Sequence, residues 1–124
     1  MADIRSHKDL EVWQLARKLA GDCYVVTRSF PREEAFGQTG QIRRAAVSIA
    51  ANIAEGYGRE TTASFIHFLH IAQGSQKELE TLLLISLDVA LLDAQTAETV
   101  LKTTESVGRL LRGLIRSLKA KSQG

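Results

Sequence analysis

A single cysteine, Cys23, and a single proline, Pro31, are all that the 124 residues hold of these two types, and aromatics make up only 6%. One cysteine cannot close an intramolecular disulfide, so no covalent staple supplements the core, and a reducing cytoplasm fits. Long hydrophobic runs are also missing. The most apolar stretch, LLLISLDVALL from Leu82 to Leu92, contains Asp88 and is too short to span a bilayer. The opening MADIRSHKDLE carries no apolar core of the kind a secretory leader needs. A soluble, cytoplasmic protein with no membrane partner is expected. Net charge is only +2, too small to identify a partner, so charge has to be read by position.

Several chemical signatures are lacking too. No Gly-Lys-Ser/Thr follows a glycine-rich turn, and GYG at 56–58 follows a helical pattern rather than a strand, so a phosphate loop is not expected. No Glu-x-x-His occurs in the chain, which excludes the paired motif of di-iron bundles. No Ser-His-Asp or Cys-His arrangement stands out. No run alternates with period two, and no internal repeat or low-complexity linker is visible.

What is present is helical periodicity in four blocks. The first covers residues 8–28, with Val12, Trp13, Ala16, Leu19, Ala20, Cys23 and Thr27 on one face, and it stops before Pro31. PREEAFGQTG (31–40) connects it, with room for one helical turn, to a second helix over 39–55. Ile42, Ala46, Ile49, Ile53 and Tyr57 line that helix's principal face, and Gly56 with Gly58 is expected to end it in left-handed or flexible backbone. The third spans 62–91, capped by Thr61 or Thr62, with Phe65, Phe68, Leu69, Ala72, Leu79, Leu83, Leu87 and Ala90 on a shared face. Asp93 or Thr96 caps the fourth, over 94–119, with Val100, Thr104, Val107, Leu111, Leu114, Ile115 and Leu118 inward. Short connections between long helices predict an all-α fold, an antiparallel up-down-up-down four-helix bundle in one domain over 1–124.

Some apolar residues lie off these stripes. Val47, Ala51 and Ala54 on the second helix, and Ile66, Leu84 and Ile85 on the third, exceed what one bundle interior can bury. Subunit contacts, and hence a homo-oligomer, are expected.

The candidate chemical groups read mostly as structure. His67 and His70 form an HxxH pair but leave the apolar face, so solvated histidines are favoured over a metal site. Cys23 has no basic neighbour at helical spacing, which makes it a buried thiol rather than a nucleophile. Glu78 and Glu80 are two apart on a helix and do not face each other. Glu80, Gln76 and Ser75 are instead expected to pair with Asn52, Arg43 or Tyr57 of the second helix, since buried polar groups need partners. No catalytic residue, cofactor, metal or small-molecule substrate is expected.

The clearest electrostatic feature is on the fourth helix. Arg109, Arg112, Arg116 and Lys119 recur at i, i+3, i+7 and i+10, opposite Val107, Leu111 and Leu118. From position 102 onward there are six basic residues against one acid, Glu105, whereas residues 78–98 hold five acids and no base. Two readings compete: a solvated face complementing the helix dipole, or a stripe that binds backbone phosphates. Arg43 and Arg44 of the second helix are candidate additions to the stripe. No aromatics interleave with these bases, so stacking on single-stranded bases has little support.

FPREEAFGQTGQIRRAAVSIAANIAEGYGRE (30–60), FIHFLHIAQGSQKELETLL (65–83) and KDLEVWQLARKLA (8–20) together resemble the four-helix-bundle family encoded in intervening sequences of bacterial 23S ribosomal RNA genes. The family's NIAEG motif matches Asn52, Ile53, Ala54, Glu55 and Gly56, and its GS-x-x-E-L-E pattern matches Gly74, Ser75, Glu78, Leu79 and Glu80. The resemblance implies a bundle assembled as a ring-like homopentamer, with no catalytic residues. A related branch includes the accessory protein of diversity-generating retroelements, which binds nucleic acid through a basic surface. Asn52, Glu55, Ser75, Glu78 and Glu80 become candidate helix-tethering or subunit contacts. Two positions depart from the family pattern: Ala50 stands where proline is frequent, so no kink is expected, and Gln76 stands where an apolar residue is common. The combined expectation is a non-enzymatic oligomer that binds structured RNA or a nucleoprotein partner through the fourth helix, the alternative being a protein–protein scaffold with no direct nucleic-acid binding.

Overall fold

The computed structural model describes residues 3–123; Met1, Ala2 and Gly124 of the expected 1–124 domain lie outside the described residues. Four helices dominate: α1 (Glu11–Thr27), α2 (Gln38–Tyr57), α3 (Thr62–Asp88) and α4 (Ala94–Gln123). No strand occurs among the described residues.

Each helix boundary has a local cause. Before α1, His7–Asp9 forms a single 3-10 turn in which Ser6 and Asp9 cap each other. Leu10 is then extended (φ −75°, ψ 125°), so the first helix starts at residue 11 rather than 8. The expected turn in the connector is a second 3-10 turn at Arg32–Glu34. Of the two candidate caps for α3, Thr61 acts, its hydroxyl accepting the Ser64 N–H at 3.1 Å. Asp93 does the same for α4, accepting from the Thr96 N–H at 2.8 Å. That backbone bond, aided by the Thr96 hydroxyl, holds the Asp93 carboxyl below its ordinary range.

Two ends differ from expectation. The third helix stops at Asp88 rather than 91, because Ala90 takes the left-handed region (φ 64°) and the Leu91 N–H turns back to Ser86 O at 2.8 Å. Ala90 is therefore an exposed corner residue instead of part of the core face. The second helix does not end in left-handed glycine: no described glycine has positive φ, and Gly58 sits at φ −76°. Gly56 is inside α2 and buried, because an added Cβ would lie 2.8 Å from Phe68 Cβ and 3.0 Å from Phe65 Cδ1. Its role is close approach of α2 and α3.

The helices run antiparallel around the bundle in chain order. Gln38 of α2 reaches Leu82 O and Ser86 Oγ near the end of α3, while Ser48 meets Ser75 midway. Gln76 of α3 bonds Thr104 O of α4, and Arg43 of α2 bonds Thr27 at the end of α1. α1 closes the ring against α4, leaving α2 and α4 across a diagonal. The core is an aliphatic column built around Leu19, Ile42, Ile49, Ile53, Leu69, Leu79, Leu83 and Leu111, all fully buried. Burial at roughly four- and seven-residue spacing, as for Val12, Ala16, Leu19 and Cys23, matches the sequence pattern.

The off-stripe residues divide. Val47, Ala51, Leu84 and Ile85 are exposed, as expected of residues the bundle interior cannot take. Ala54 and Ile66 are half-buried.

Candidate nucleic-acid interface

Arg109, Arg112, Arg116 and Lys119 all lie exposed on α4. At about 1.5 Å rise per residue they span about 15 Å of helix axis. Among the described residues none of the four is ion-paired; Arg109 donates only to Ser106 Oγ, at 2.9 Å. Lys102, by contrast, faces Glu98 at 3.4 Å. Helix α4 continues to Gln123, beyond the expected end at 119, and Lys121 is the basic residue of its last turn. The dipole field fades within that turn, so it does not account for three arginines further back.

The stripe borders a concave surface. Three depressions of about 360, 310 and 270 Å3 follow one another along the α3/α4 seam, and Arg112 lines all three. The α3 wall contributes His70, Gln73 and Lys77, none of which the sequence reading placed with the stripe. Their spacing of i, i+3 and i+7 was a visible signal. What hid it was the α3/α4 register, which depends on the fold. At one end of the trough Glu80 and Glu105 join Arg109 and Lys77, so charge is mixed there and purely cationic toward Lys119.

Arg43 does not join this surface. Its Nε donates to Thr27 Oγ1 at 2.9 Å, Nη2 approaches Tyr24 O at 3.4 Å, and the guanidinium lies 4.5 Å from the Tyr24 ring centre. It ties α2 to the end of α1. Arg44 is exposed on α2, which lies diagonally across from α4.

The expected polar network divides in two. Ser75 pairs with Ser48 of α2 at 2.8 Å rather than with Asn52, Arg43 or Tyr57; Asn52 Nδ2 donates to Ser48 O and Oγ within its own helix, so the serine pair is what joins the α2/α3 seam. Gln76 instead crosses to α4, because its position turns toward Gly108 and Thr104. Glu80 meets Lys77 on its own helix at 3.5 Å, and Glu55 pairs with Arg59 at 2.6 Å. Glu78 is exposed, and Tyr57 reaches Ile4 O at 3.5 Å rather than any α3 group.

His67 and His70 are both exposed; His70 Nδ1 lies 3.0 Å from Gln73 Oε1 and His67 packs edge-on to Phe68. Cys23 is fully buried, and that burial, with the nearby Asp22 charge, pushes its thiol up to about 12. No helix of the described residues is long and apolar enough to cross a membrane.

An all-α bundle with a cationic trough on one seam is thus the class of protein the fold defines. The chain belongs to the 23S rRNA-intervening sequence protein family, whose sequence profile matches residues 8–113. Among solved structures it is similar to a protein of unknown function from the S23 ribosomal protein family of Bacteroides thetaiotaomicron. That likeness has a TM-score of 0.76 at 24% identity and covers 84% of this chain and 97% of the other, which supports the fold. No curated protein matches the chain in sequence.

Proposed function

We propose that this protein is a non-enzymatic, cytoplasmic, oligomeric bundle that binds structured RNA by its backbone phosphates, along the α3/α4 trough. The observation that carries this reading is the row of four cations on α4 without carboxylate partners among the described residues, set along a concave seam. Unpaired like charges repel one another and attract a polyanion. Membership of a family named for ribosomal RNA genes supports RNA as the polyanion. Side chains that meet phosphates position a nucleic acid without reading its sequence, so selectivity comes from RNA shape and from repetition of the trough.

Repetition requires assembly. Val47, Ile71, Leu84, Ile85 and Val89 are each at least 40% exposed; they lie on the outer surfaces of α2 and α3, with Val89 just past the end of α3. These surfaces support self-association, with the ring of five implied by the family resemblance as the specific form.

Binding of purified protein to a structured ribosomal RNA fragment across a salt series tests the reading. The comparison is an Arg109→Glu, Arg112→Glu, Arg116→Glu variant, with mass by light scattering on both. A steep salt slope lost in a variant of unchanged mass supports the phosphate site. No binding by wild type, or equal binding by the variant, leaves a protein scaffold with a solvated basic face.

A further inference from the structure

Gln76 is 2% exposed, and it occupies a position where an apolar side chain would fill the same space at less cost. Its Nε2 donates to Thr104 O at 3.0 Å, which fixes the orientation of the amide and leaves Oε1 on the opposite edge. Gly108 supplies the room: a Cβ there would lie 3.0 to 3.3 Å from the amide nitrogen, carbon and oxygen. Two locally unfavourable choices, a buried amide and a glycine within a helix, thus serve one feature.

Oε1 accepts no hydrogen bond from any described residue. Yet every fully buried side-chain oxygen or nitrogen among the described residues has a partner. Oε1 is therefore one that reaches the trough, where Gln76 lines two adjoining depressions between Lys77 and Arg112. In the depression shared with His70 and Gln73, the cations Lys77 and Arg112 stand on the two rims with an immobilised acceptor between them, while the adjoining depression adds the carboxylates of Glu80 and Glu105. A bare phosphate chain satisfies only the rims.

We propose that Gln76 Oε1 accepts a hydrogen bond from a ribose 2′-hydroxyl, making this amide the trough's determinant for RNA over a backbone without that donor. The inference rests on the phosphate-binding reading above and adds to it a ligand group and a residue. A ribose-phosphate backbone carries acidic oxygens and a hydroxyl donor within one repeating unit, the pairing that the rims and floor together match.

The test uses one structured RNA stem-loop and its 2′-fluoro analogue, which keeps phosphates and helical form but lacks the donor. Both are titrated with wild type, Gln76→Met and Arg112→Glu/Arg116→Glu across salt. Wild type should prefer the hydroxyl form by about fivefold to tenfold, the scale of one net hydrogen bond. The salt slope should be the same for both ligands, and Gln76→Met should bind them equally with that slope retained. Equal wild-type affinity for the two, with charge reversal still abolishing binding, overturns the role of Gln76 and leaves the phosphate reading standing. Absence of binding to either overturns both. Circular dichroism checks that Gln76→Met folds; if it does not, the two wild-type titrations decide by themselves.

Discussion

Alanine at Gly56 and alanine at Gly113 should move stability in opposite directions, although both glycines lie inside helices. Helix propensity alone favours alanine by about 0.5–1 kcal/mol at either site. At Gly113, exposed on α4, an added Cβ meets nothing within 4 Å. The full gain should appear there, as a rise of about 2–4 °C in melting temperature. At Gly56 the same atom would sit 2.8 Å from Phe68 Cβ and 3.2 Å from Phe65 O. The first contact is about 0.6 Å closer than the 3.4 Å at which ordinary contact begins.

Those atoms belong to or adjoin the α3 backbone, so relief requires the two helices to separate. Overpacking of this kind costs about 1–3 kcal/mol; a mid-range cost exceeds the propensity gain and leaves a net loss of about 1 kcal/mol, rising to about 2 if the helices cannot shift. Urea denaturation followed by far-ultraviolet circular dichroism measures both changes. A single protein concentration must be used, because association would make the midpoint concentration-dependent. A Gly56→Ala protein as stable as wild type would show that the α2/α3 approach is loose and refute the packing argument. A destabilised Gly113→Ala protein would show that the face around position 113 is covered.

Three further outcomes are expected. Cys23 should resist thiol reagents at about pH 8 in the native protein and react on unfolding, because its thiol stays protonated. Above its ordinary value of 9.0 the unfolded chain releases that proton while the native chain holds it to about 12. Stability should therefore fall with rising pH in that window, by up to about 1.4 kcal/mol per pH unit beyond the trend of Cys23→Ala, as paired pH-dependent urea titrations would show. Arg43→Met should cost about 1–2 kcal/mol of stability through loss of its Thr27 bond and Tyr24 stacking. The same variant should keep its RNA affinity, and a parallel loss of binding would return Arg43 to the interface. Ala90→Gly should stabilise by up to about 1 kcal/mol by relieving the left-handed alanine, checked by thermal melting.

Helix number, order and core faces were legible in the sequence because they depend on local periodicity and on caps within three residues. Leu19, Ile49, Leu83 and Leu111 are buried where the 3.6-residue pattern put them, and Thr61 and Asp93 cap as residues of their type do. The cationic row on α4 was equally visible, since i, i+3 and i+7 residues share a helix face whatever the helix packs against.

Features that join two helices were not visible in this way. Gly56 carries a helix-ending residue type, yet a facing pair of phenylalanines makes it a packing site. Ala90 carries no turn signal, yet the chain has to reverse there so that α4 can lie against α3. Gln76 could be assigned a partner only when the α3 register set it beside Thr104 and Gly108 rather than beside α2. The same register placed His70, Gln73 and Lys77 across from the arginines and turned a helix face into a trough. Sequence by itself determined which residues each helix turns inward, because that follows from backbone geometry and the exclusion of apolar surface from water. Only the tertiary structure decided which helices meet and at what register, because residues far apart in the chain come together only when side chains interlock.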